Sequence, residues 1–171
     1  MHNLLSLEIF EEAVNNWNTH ALSCCVCLGD QIDGKTRTDD SQSSCLNGLK
    51  GIASHLEAPL HFCFGNHDYY TFSREQLKNY FIPESIVSCS PTKLYYDWTP
   101  HPGWRFILLD SYDVSLIGYS TEQHLMQARS ILKKNNPNDL SIPGGWFKNL
   151  PREKHRYVPY NGGISSSQLL W

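Results

Sequence analysis

Two short apolar runs, each ending in a glycine followed by polar residues, constrain the fold of this chain more than any other feature. The first runs from Cys24 to Leu28 and leads into Gly29-Asp30; the second runs from Leu60 to Phe64 and leads into Gly65-Asn66. Short continuous apolar runs next to glycine are typical of buried strands in a parallel sheet. We therefore expect two neighbouring strands whose carboxyl ends bring the polar residues to one edge of the sheet.

Helical periodicity and capping signals alternate with these strands and predict an α/β fold with a partly parallel sheet. Apolar residues recur at helical spacing from Leu7 to Trp17, and a second helix opens at Ser43 or Ser44, between the two strands. The other predicted elements are a short helix after the capping box Ser73-Arg74-Glu75-Gln76, an edge hairpin containing Tyr95, Tyr96 and Trp98, a third buried strand from Arg105 to Leu109, a helix capped by Ser120-Thr121, and an irregular surface segment from Asn138 to Gly163.

Both ends of the chain indicate that this single domain, residues 1–171, is incomplete. Ser165-Ser166-Ser167-Gln168 is a capping box, yet only Leu169-Leu170-Trp171 follow it, and a helix that short cannot sustain itself. The chain also enters directly on the Leu7 to Trp17 helix, with no strand before it. We expect missing strands to leave exposed sheet edges and uncovered apolar faces.

Composition excludes several classes of function. The net charge is -3, and the charges form no basic stripe of the kind that follows nucleic acid phosphates. No apolar run is long enough to span a bilayer, and the first residues lack the basic segment of a signal peptide, so a cytoplasmic protein without membrane or nucleic acid partners is expected. The six cysteines crowd into apolar runs, which predicts free thiols rather than disulfides or a zinc site.

The residues after the two strands suit a site for two divalent metal ions. The carboxylate of Asp30 can bridge two cations, and the amide oxygen of Asn66 is a hard, neutral ligand for Mn²⁺, Mg²⁺ or Zn²⁺. Two such ions hold a phosphoryl group and activate a water as nucleophile at neutral pH. His67 can donate a proton to the leaving oxygen, Asp68 can hold the His67 ring in one tautomer, and Asp33 can orient a ligand or water from behind the metals.

Each candidate residue also has a structural interpretation. Gly-Asp alone is often only a turn and Gly-Asn-His-Asp alone can be an Asx turn, but both motifs together, in this order with one helix between them, favour a functional site. Tyr69, Tyr70 and Phe72 can stack on a nucleotide base or pack over the motif helix. For the remaining candidates we expect packing beside the sheet for His61, cap or turn roles for Asp110 and Asp113, and surface positions for His101, His124 and His155.

Gly29-Asp30-Gln31-Ile32-Asp33 followed by Gly65-Asn66-His67-Asp68 resembles the core signature of the calcineurin-like metallophosphoesterases. A wider match resembles the manganese-dependent branch of that family that cleaves ADP-ribose and CDP-alcohols. The segments that carry this wider match are Ala13 to Asn18, Arg105 to Asp113, Asn135 to Asn138, and Tyr160 to Ile164.

That resemblance implies a four-layer α/β sandwich with two mixed sheets, of which this chain holds part. It implies that Asp30 bridges two divalent ions, Mn²⁺ before Mg²⁺ or Zn²⁺, that Asn66 binds the second ion, and that His67 is the catalytic histidine. It further implies attack of a metal-bound hydroxide on the diphosphate of small nucleoside diphosphate substrates such as ADP-ribose and CDP-choline, CDP-ethanolamine or CDP-glycerol. We expect the protein to be a monomer.

The chain departs from the family pattern in three places. The family's Asp-x-His or Asp-x-Gln block on an earlier strand, a histidine after a later strand, and a final Gly-His-x-His block have no counterpart in these 171 residues. We therefore expect the chain alone to be weakly active or inactive. Hydrolysis of phosphomonoesters or cyclic nucleotides, and a non-catalytic truncated isoform, remain as alternatives because the core motif is common to them.

Overall fold

The computed structural model describes residues 2–32, 39–82, 92–141, 146–155, 157–158, 160 and 162–171. They divide into two compact units, unit 1 with residues 1–109 and unit 2 with residues 110–171. Each unit is described by itself, and the single domain expected from the sequence stays a prediction. No helix in the described part of the chain combines the length and the apolar character needed to cross a membrane.

Unit 1 alternates helices and strands before it ends in a hairpin. Its elements, in order, are α1 (His2–Trp17), β1 (Cys25–Cys27), α2 (Asp39–Ala53), β2 (Leu60–Phe62), α3 (Asn66–Thr71), α4 (Arg74–Phe81), β3 (Tyr96–His101) and β4 (Trp104–Leu108). Unit 2 contains α5 (Glu122–Asn135), a 3₁₀ turn at Arg152–Lys154 and α6 (Ser166–Leu169).

Strands β1 and β2 form the parallel pair that the two apolar runs predict. Cys25 lies opposite Leu60 and Cys27 opposite Phe62, with α2 as the connection. The strands are shorter than predicted, because Leu28 is exposed and leaves the sheet. Helix α2 also begins at Asp39 instead of at Ser43 or Ser44, which extends it by about one turn.

The core of unit 1 lies between this strand pair and its helices. Val14 of α1, Leu46 of α2 and Leu77 of α4 are almost completely buried. Helices α1 and α2 approach closely at Gly48, where a Cβ atom would lie 3.1 Å from a methyl group of Leu7. Burying each such side chain contributes about 1.5–3 kcal/mol, so the predicted apolar faces of α1 and α2 account for this packing.

Strand β4 corrects one prediction. We expected Arg105 to Leu109 to be a third buried strand, but β4 pairs only with β3, in an antiparallel hairpin. Phe106, Ile107 and Leu109 are exposed, and Leu108 alone in this stretch is buried. Phe106 and Leu108 share the face on which Phe106 stacks against Trp98, whereas Ile107 and Leu109 on the other face are exposed to solvent.

The hairpin packs on β2 through aromatic residues. His61 is buried and its ring stacks on that of Trp98, with 3.7 Å between centroids and 15° between planes. The Tyr96 hydroxyl accepts a hydrogen bond from the Phe62 backbone N–H at 3.2 Å, and burial raises the pKa of Tyr96 to about 12. The structural interpretation of His61, packing beside the sheet, is therefore confirmed.

In unit 2, a buried carboxylate connects segments that are distant in sequence. Asp113 accepts hydrogen bonds from the Ser165 and Ser120 hydroxyls, so Ser165 caps α6 while it is itself held by Asp113. His124 was expected at the surface, but it is only partly exposed: its Nδ1 lies 2.6 Å from Ser120 Oγ and 3.3 Å from Asp113 Oδ1. The turn role expected for Asp113 is confirmed, and the surface position of His124 was wrong.

The side chains of Gln168 and Asn138 in unit 2 differ from what the sequence predicts. The side chain of Gln168 does not complete the expected capping box, because it bonds to the backbone N–H and C=O of Asp110. Asn138 was expected in an irregular surface segment, yet it is buried: its side chain donates to the Tyr157 carbonyl and accepts from the Phe147 N–H. A stretch without regular structure is thus organised around a buried amide.

Candidate metal centre

Asp30 and the turn that opens α3 are in direct contact at the carboxyl ends of β1 and β2. The parallel ladder continues one residue beyond the strands, where the Cys63 N–H donates to the Cys27 carbonyl at 2.8 Å. Asp30 Oδ1 then accepts a hydrogen bond from the His67 backbone N–H at 2.9 Å. The structure therefore brings the two motifs together, with the exposed carboxylate of Asp30 beside half-buried Asn66 and His67.

The Asp68 carboxylate accepts hydrogen bonds from the backbones of both motifs. Its Oδ2 accepts from the N–H groups of Asp30 at 2.9 Å and Gly65 at 2.8 Å, and its Oδ1 accepts from the Gln31 N–H at 3.1 Å. Burial raises the pKa of Asp68 to about 6, although these three N–H bonds oppose the shift by favouring the charged form. Asp68 thus fixes the position of Asp30 relative to Gly65. That Asp68 also holds the His67 ring in one tautomer stays a prediction.

The two motif glycines leave no space for side chains. Gly29 adopts φ +98°, and a Cβ atom there would lie 2.7 Å from the Gly65 nitrogen. A Cβ atom on Gly65 would lie 2.1 Å from Asp30 Oδ1, well inside van der Waals contact. Asp30 itself has φ +54°, a backbone conformation that aspartate tolerates better than most residues. Close packing of the two turns is thus what places the Asp30 carboxylate at the start of α3.

A cavity of about 450 Å³ adjoins Asp30 and His67 in unit 1. Its wall is mainly apolar and comes from α1, α2 and the strand pair, with Phe10, Leu49 and Phe62 among the contributors. Gln31 also lines it, and its side-chain amide donates to the Cys63 carbonyl at 3.2 Å. No sequence pattern predicts this role of Gln31, because the role depends on a contact with the neighbouring strand.

The aromatic residues that follow the second motif pack in or near the core of unit 1. Tyr69 and Phe72 are buried in the core, so of the two interpretations weighed for them packing is confirmed; Tyr70 lies half-buried near the His67 ring, at 5.6 Å between centroids. Asp33 lies outside the described residues. His101 and His155 are exposed, as expected.

The donors in this part of the chain fit one side of a metal site. A carboxylate held by the backbone N–H of His67, next to an amide and an imidazole, is the ligand chemistry of Mn²⁺ and similar ions. The turn packing at Gly65, which a Cβ would fill, positions that carboxylate before any ion binds. Among the described residues, however, no group of three or more histidine, cysteine, aspartate or glutamate side chains is placed to hold a metal.

Comparison with known proteins agrees with this chemistry. The chain is 35% identical to the human manganese-dependent ADP-ribose/CDP-alcohol diphosphatase over 184 positions, which cover 99% of the chain and 51% of the human protein. The Arabidopsis thaliana protein of the same name is 33% identical over 172 positions, which cover 97% of the chain and 51% of that protein. The chain is similar in sequence to these diphosphatases over about half of their length. No model of a known protein family matches it.

A solved structure extends the agreement to the fold. The crystal structure of a dimetal phosphatase from Danio rerio matches with a TM-score of 0.74 and 30% identity, over 96% of this chain and 53% of that one. The predicted α/β fold of the metallophosphoesterase type is confirmed by this match. The chain spans about half the length of the diphosphatases and of the phosphatase that it matches.

Proposed function

We propose that this chain takes part in metal-dependent hydrolysis of the diphosphate bond in ADP-ribose and in CDP-alcohols, as a phosphoric-anhydride hydrolase. The observation that carries the proposal is the hydrogen bond from the His67 N–H to Asp30 Oδ1, which joins the two motifs into one site. The names of the relatives support the substrate class and the manganese dependence, and the dimetal phosphatase supports two ions.

Each site residue has a role in this proposal. Asp30 and Asn66 would hold the divalent ions, which when bound polarise the diphosphate and lower the pKa of a water. His67 faces the leaving group and donates a proton or hydrogen bond to its oxygen. Because the His67 backbone is bonded to Asp30, the distance between metal ligand and proton donor is fixed by the turn itself. Asp68 maintains that turn, and Asp33 is assigned the outer position behind the ligands.

The proposal includes small-molecule nucleoside diphosphates as partners, with a monomeric, cytoplasmic protein that acts on neither nucleic acid nor membranes. The mildly acidic net charge of -3 supports the absence of a nucleic acid partner. We expect slow turnover by these 171 residues, because only Asp30 and Asn66 are proposed among them to hold the two ions. The test below therefore also measures metal binding directly.

The test uses the purified chain with Mn²⁺ or with EDTA. ADP-ribose, CDP-choline, cyclic AMP and p-nitrophenyl phosphate are compared as substrates, and bound Mn²⁺ is followed by electron paramagnetic resonance. Asp30→Asn should remove Mn²⁺-dependent turnover and weaken Mn²⁺ binding by at least roughly tenfold. Asp97→Asn is the matched control, because Asp97 is a partly exposed carboxylate paired with Arg105 in the hairpin.

Three outcomes would contradict the proposal. Asp30→Asn that binds Mn²⁺ as the unchanged chain does would remove Asp30 from the site. Faster cleavage of p-nitrophenyl phosphate or cyclic AMP than of the diphosphates would favour the wider phosphoesterase alternative. Equal losses in Asp30→Asn and Asp97→Asn would indicate a general effect of charge.

A further inference from the structure

A second cavity lies entirely within unit 2, apart from the metal donors of unit 1 in sequence. It encloses about 550 Å³ and is lined on one side by α5 and on the other by the segment from Asn136 to Ser141. That volume falls within the roughly 300–1,000 Å³ that is usual for small-molecule sites. Leu116, Leu125 and Leu140 supply an apolar wall.

Two cations on α5 face this cavity. Arg129 and Lys133 are one helical turn apart, so their side chains project from the same face of the helix. Both are exposed, and among the described residues neither has a carboxylate within ion-pair distance. An Arg and a Lys held about 6 Å apart at their Cβ atoms can converge on one phosphate or span a diphosphate.

Among the described residues that line the cavity, Asp139 is the one carboxylate, and it is already hydrogen-bonded. Asp139 Oδ1 accepts from the Ser141 hydroxyl at 2.6 Å and from the Ser141 N–H at 2.9 Å. These two bonds lower the pKa of Asp139, with a further contribution from Lys148. Asp139 is therefore ionised at neutral pH, and its single negative charge stands against the two positive charges of Arg129 and Lys133, which leaves a net charge of +1 among the described lining residues.

The wall opposite α5 is preformed. Asn138 is buried at the cavity, and its amide is engaged by the Asn136 side chain, the Tyr157 carbonyl and the Phe147 N–H. Asn136 in turn donates to the Val158 carbonyl at 2.6 Å. A wall held by this many hydrogen bonds needs no ordering when a ligand arrives, which reduces the entropic penalty of binding.

We infer that this cavity binds a nucleoside diphosphate, with Arg129 and Lys133 on its phosphates and the leucine wall against its base or sugar. The inference rests on the proposed function only for the choice of nucleotide. The site requires no metal, so it is distinguished from the Asp30 site by binding in EDTA.

Isothermal titration of the 171-residue chain in EDTA, with ADP-ribose and with inorganic pyrophosphate, tests the inference. ADP-ribose should bind more tightly than pyrophosphate, because only ADP-ribose contacts the apolar wall. Arg129→Gln and Lys133→Gln together should weaken ADP-ribose binding by at least roughly tenfold, as expected for the loss of charge-assisted hydrogen bonds. Lys134→Gln makes the same chemical change on the same helix outside the cavity, and should change the affinity less than about twofold.

Several results would overturn the inference. They are no heat of binding for ADP-ribose, equal affinity for pyrophosphate and ADP-ribose, and a Lys134→Gln effect as large as that of the double variant Arg129→Gln/Lys133→Gln. Circular dichroism of the two variants checks that the exposed substitutions leave the fold intact. Asp30→Asn should bind ADP-ribose in EDTA like the unchanged chain. ADP-ribose binding in EDTA together with unchanged Mn²⁺ binding by Asp30→Asn would therefore refute the proposed function and leave this inference standing. Weakened Mn²⁺ binding by Asp30→Asn without any ADP-ribose binding in EDTA would do the reverse.

Discussion

Replacing Gly65 with alanine tests the packing of the metal-site turns most directly. The new Cβ would lie 2.1 Å from Asp30 Oδ1, whereas ordinary van der Waals contact begins near 3.4 Å, so the two must separate by about 1.3 Å. The backbone of Gly65 has φ -96°, which alanine adopts freely, and the effect is therefore steric. The bonds at risk are those from His67 N–H to Asp30 and from Asp30 N–H to Asp68.

Hydrogen bonds to charged groups contribute about 1.5–3 kcal/mol each, so we expect Gly65→Ala to lower the free energy of unfolding by about 2–4 kcal/mol. Urea titration followed by circular dichroism measures this change. A ligand displaced by about 1 Å should also lower Mn²⁺-dependent turnover by roughly 100-fold. Gly51→Ala is the control: Gly51 lies in α2 with no atom within 4 Å of the added Cβ, and alanine should stabilise that helix by about 0.5–1 kcal/mol. If Gly65→Ala were as stable as Gly51→Ala, the packing argument would be refuted.

Three more outcomes are expected from urea titrations. Asp68→Asn should lower the free energy of unfolding by about 1–3 kcal/mol, because an amide cannot accept all three backbone N–H bonds; a change below about 0.5 kcal/mol would count against the assigned role. Burial lowers the pKa of His61 from its ordinary 6.5, so the unfolded chain binds protons first and the free energy of unfolding should fall as the pH drops below about 6.5. His61→Phe, which can keep the stack on Trp98, should flatten this dependence between pH 7.5 and 5.5. An unaltered slope would show that other groups cause it. Asp113→Ala should destabilise the chain by about 2–4 kcal/mol, because the buried Ser165 hydroxyl and the half-buried Ser120 hydroxyl lose their acceptor. Stability equal to that of the unchanged chain would refute that.

Elements with local signals were predictable from the sequence. Ser73 and Gln76 form both bonds of the predicted capping box of α4, and Thr121 caps α5 at its predicted start. The parallel pairing of β1 and β2 also followed from their apolar runs and the helix between them. In each case the decisive interaction is either within one turn of helix or a property of the run itself, so neighbouring residues contain the information.

Features set by distant contacts were not predictable. His124 was assigned to the surface from its place in the first turn of α5, but the position of Asp113 depends on Ser165, which is 52 residues away from it. Strand β4 was predicted to be buried from its apolar composition alone, whereas burial depends on which elements lie against it. The prediction that Asp68 orients the His67 ring likewise started from their adjacency in sequence. It did not include the hydrogen bonds that Asp68 accepts from Asp30 and Gln31, because those residues follow the other strand of the pair.

The bond between the Asp30 N–H and the Asp68 carboxylate also has a kinetic consequence. It closes a loop of 38 residues, and ordering a loop of that length costs about 3 kcal/mol beyond a constant term. One hydrogen bond cannot offset that entropy, so the contact persists only while β1 and β2 are paired. The amides of Asp30, Gln31 and Gly65 should therefore exchange with deuterium at a common rate, set by the opening of the strand pair. The ligand geometry would then be lost in one cooperative step, before α4 or unit 2 needs to unfold.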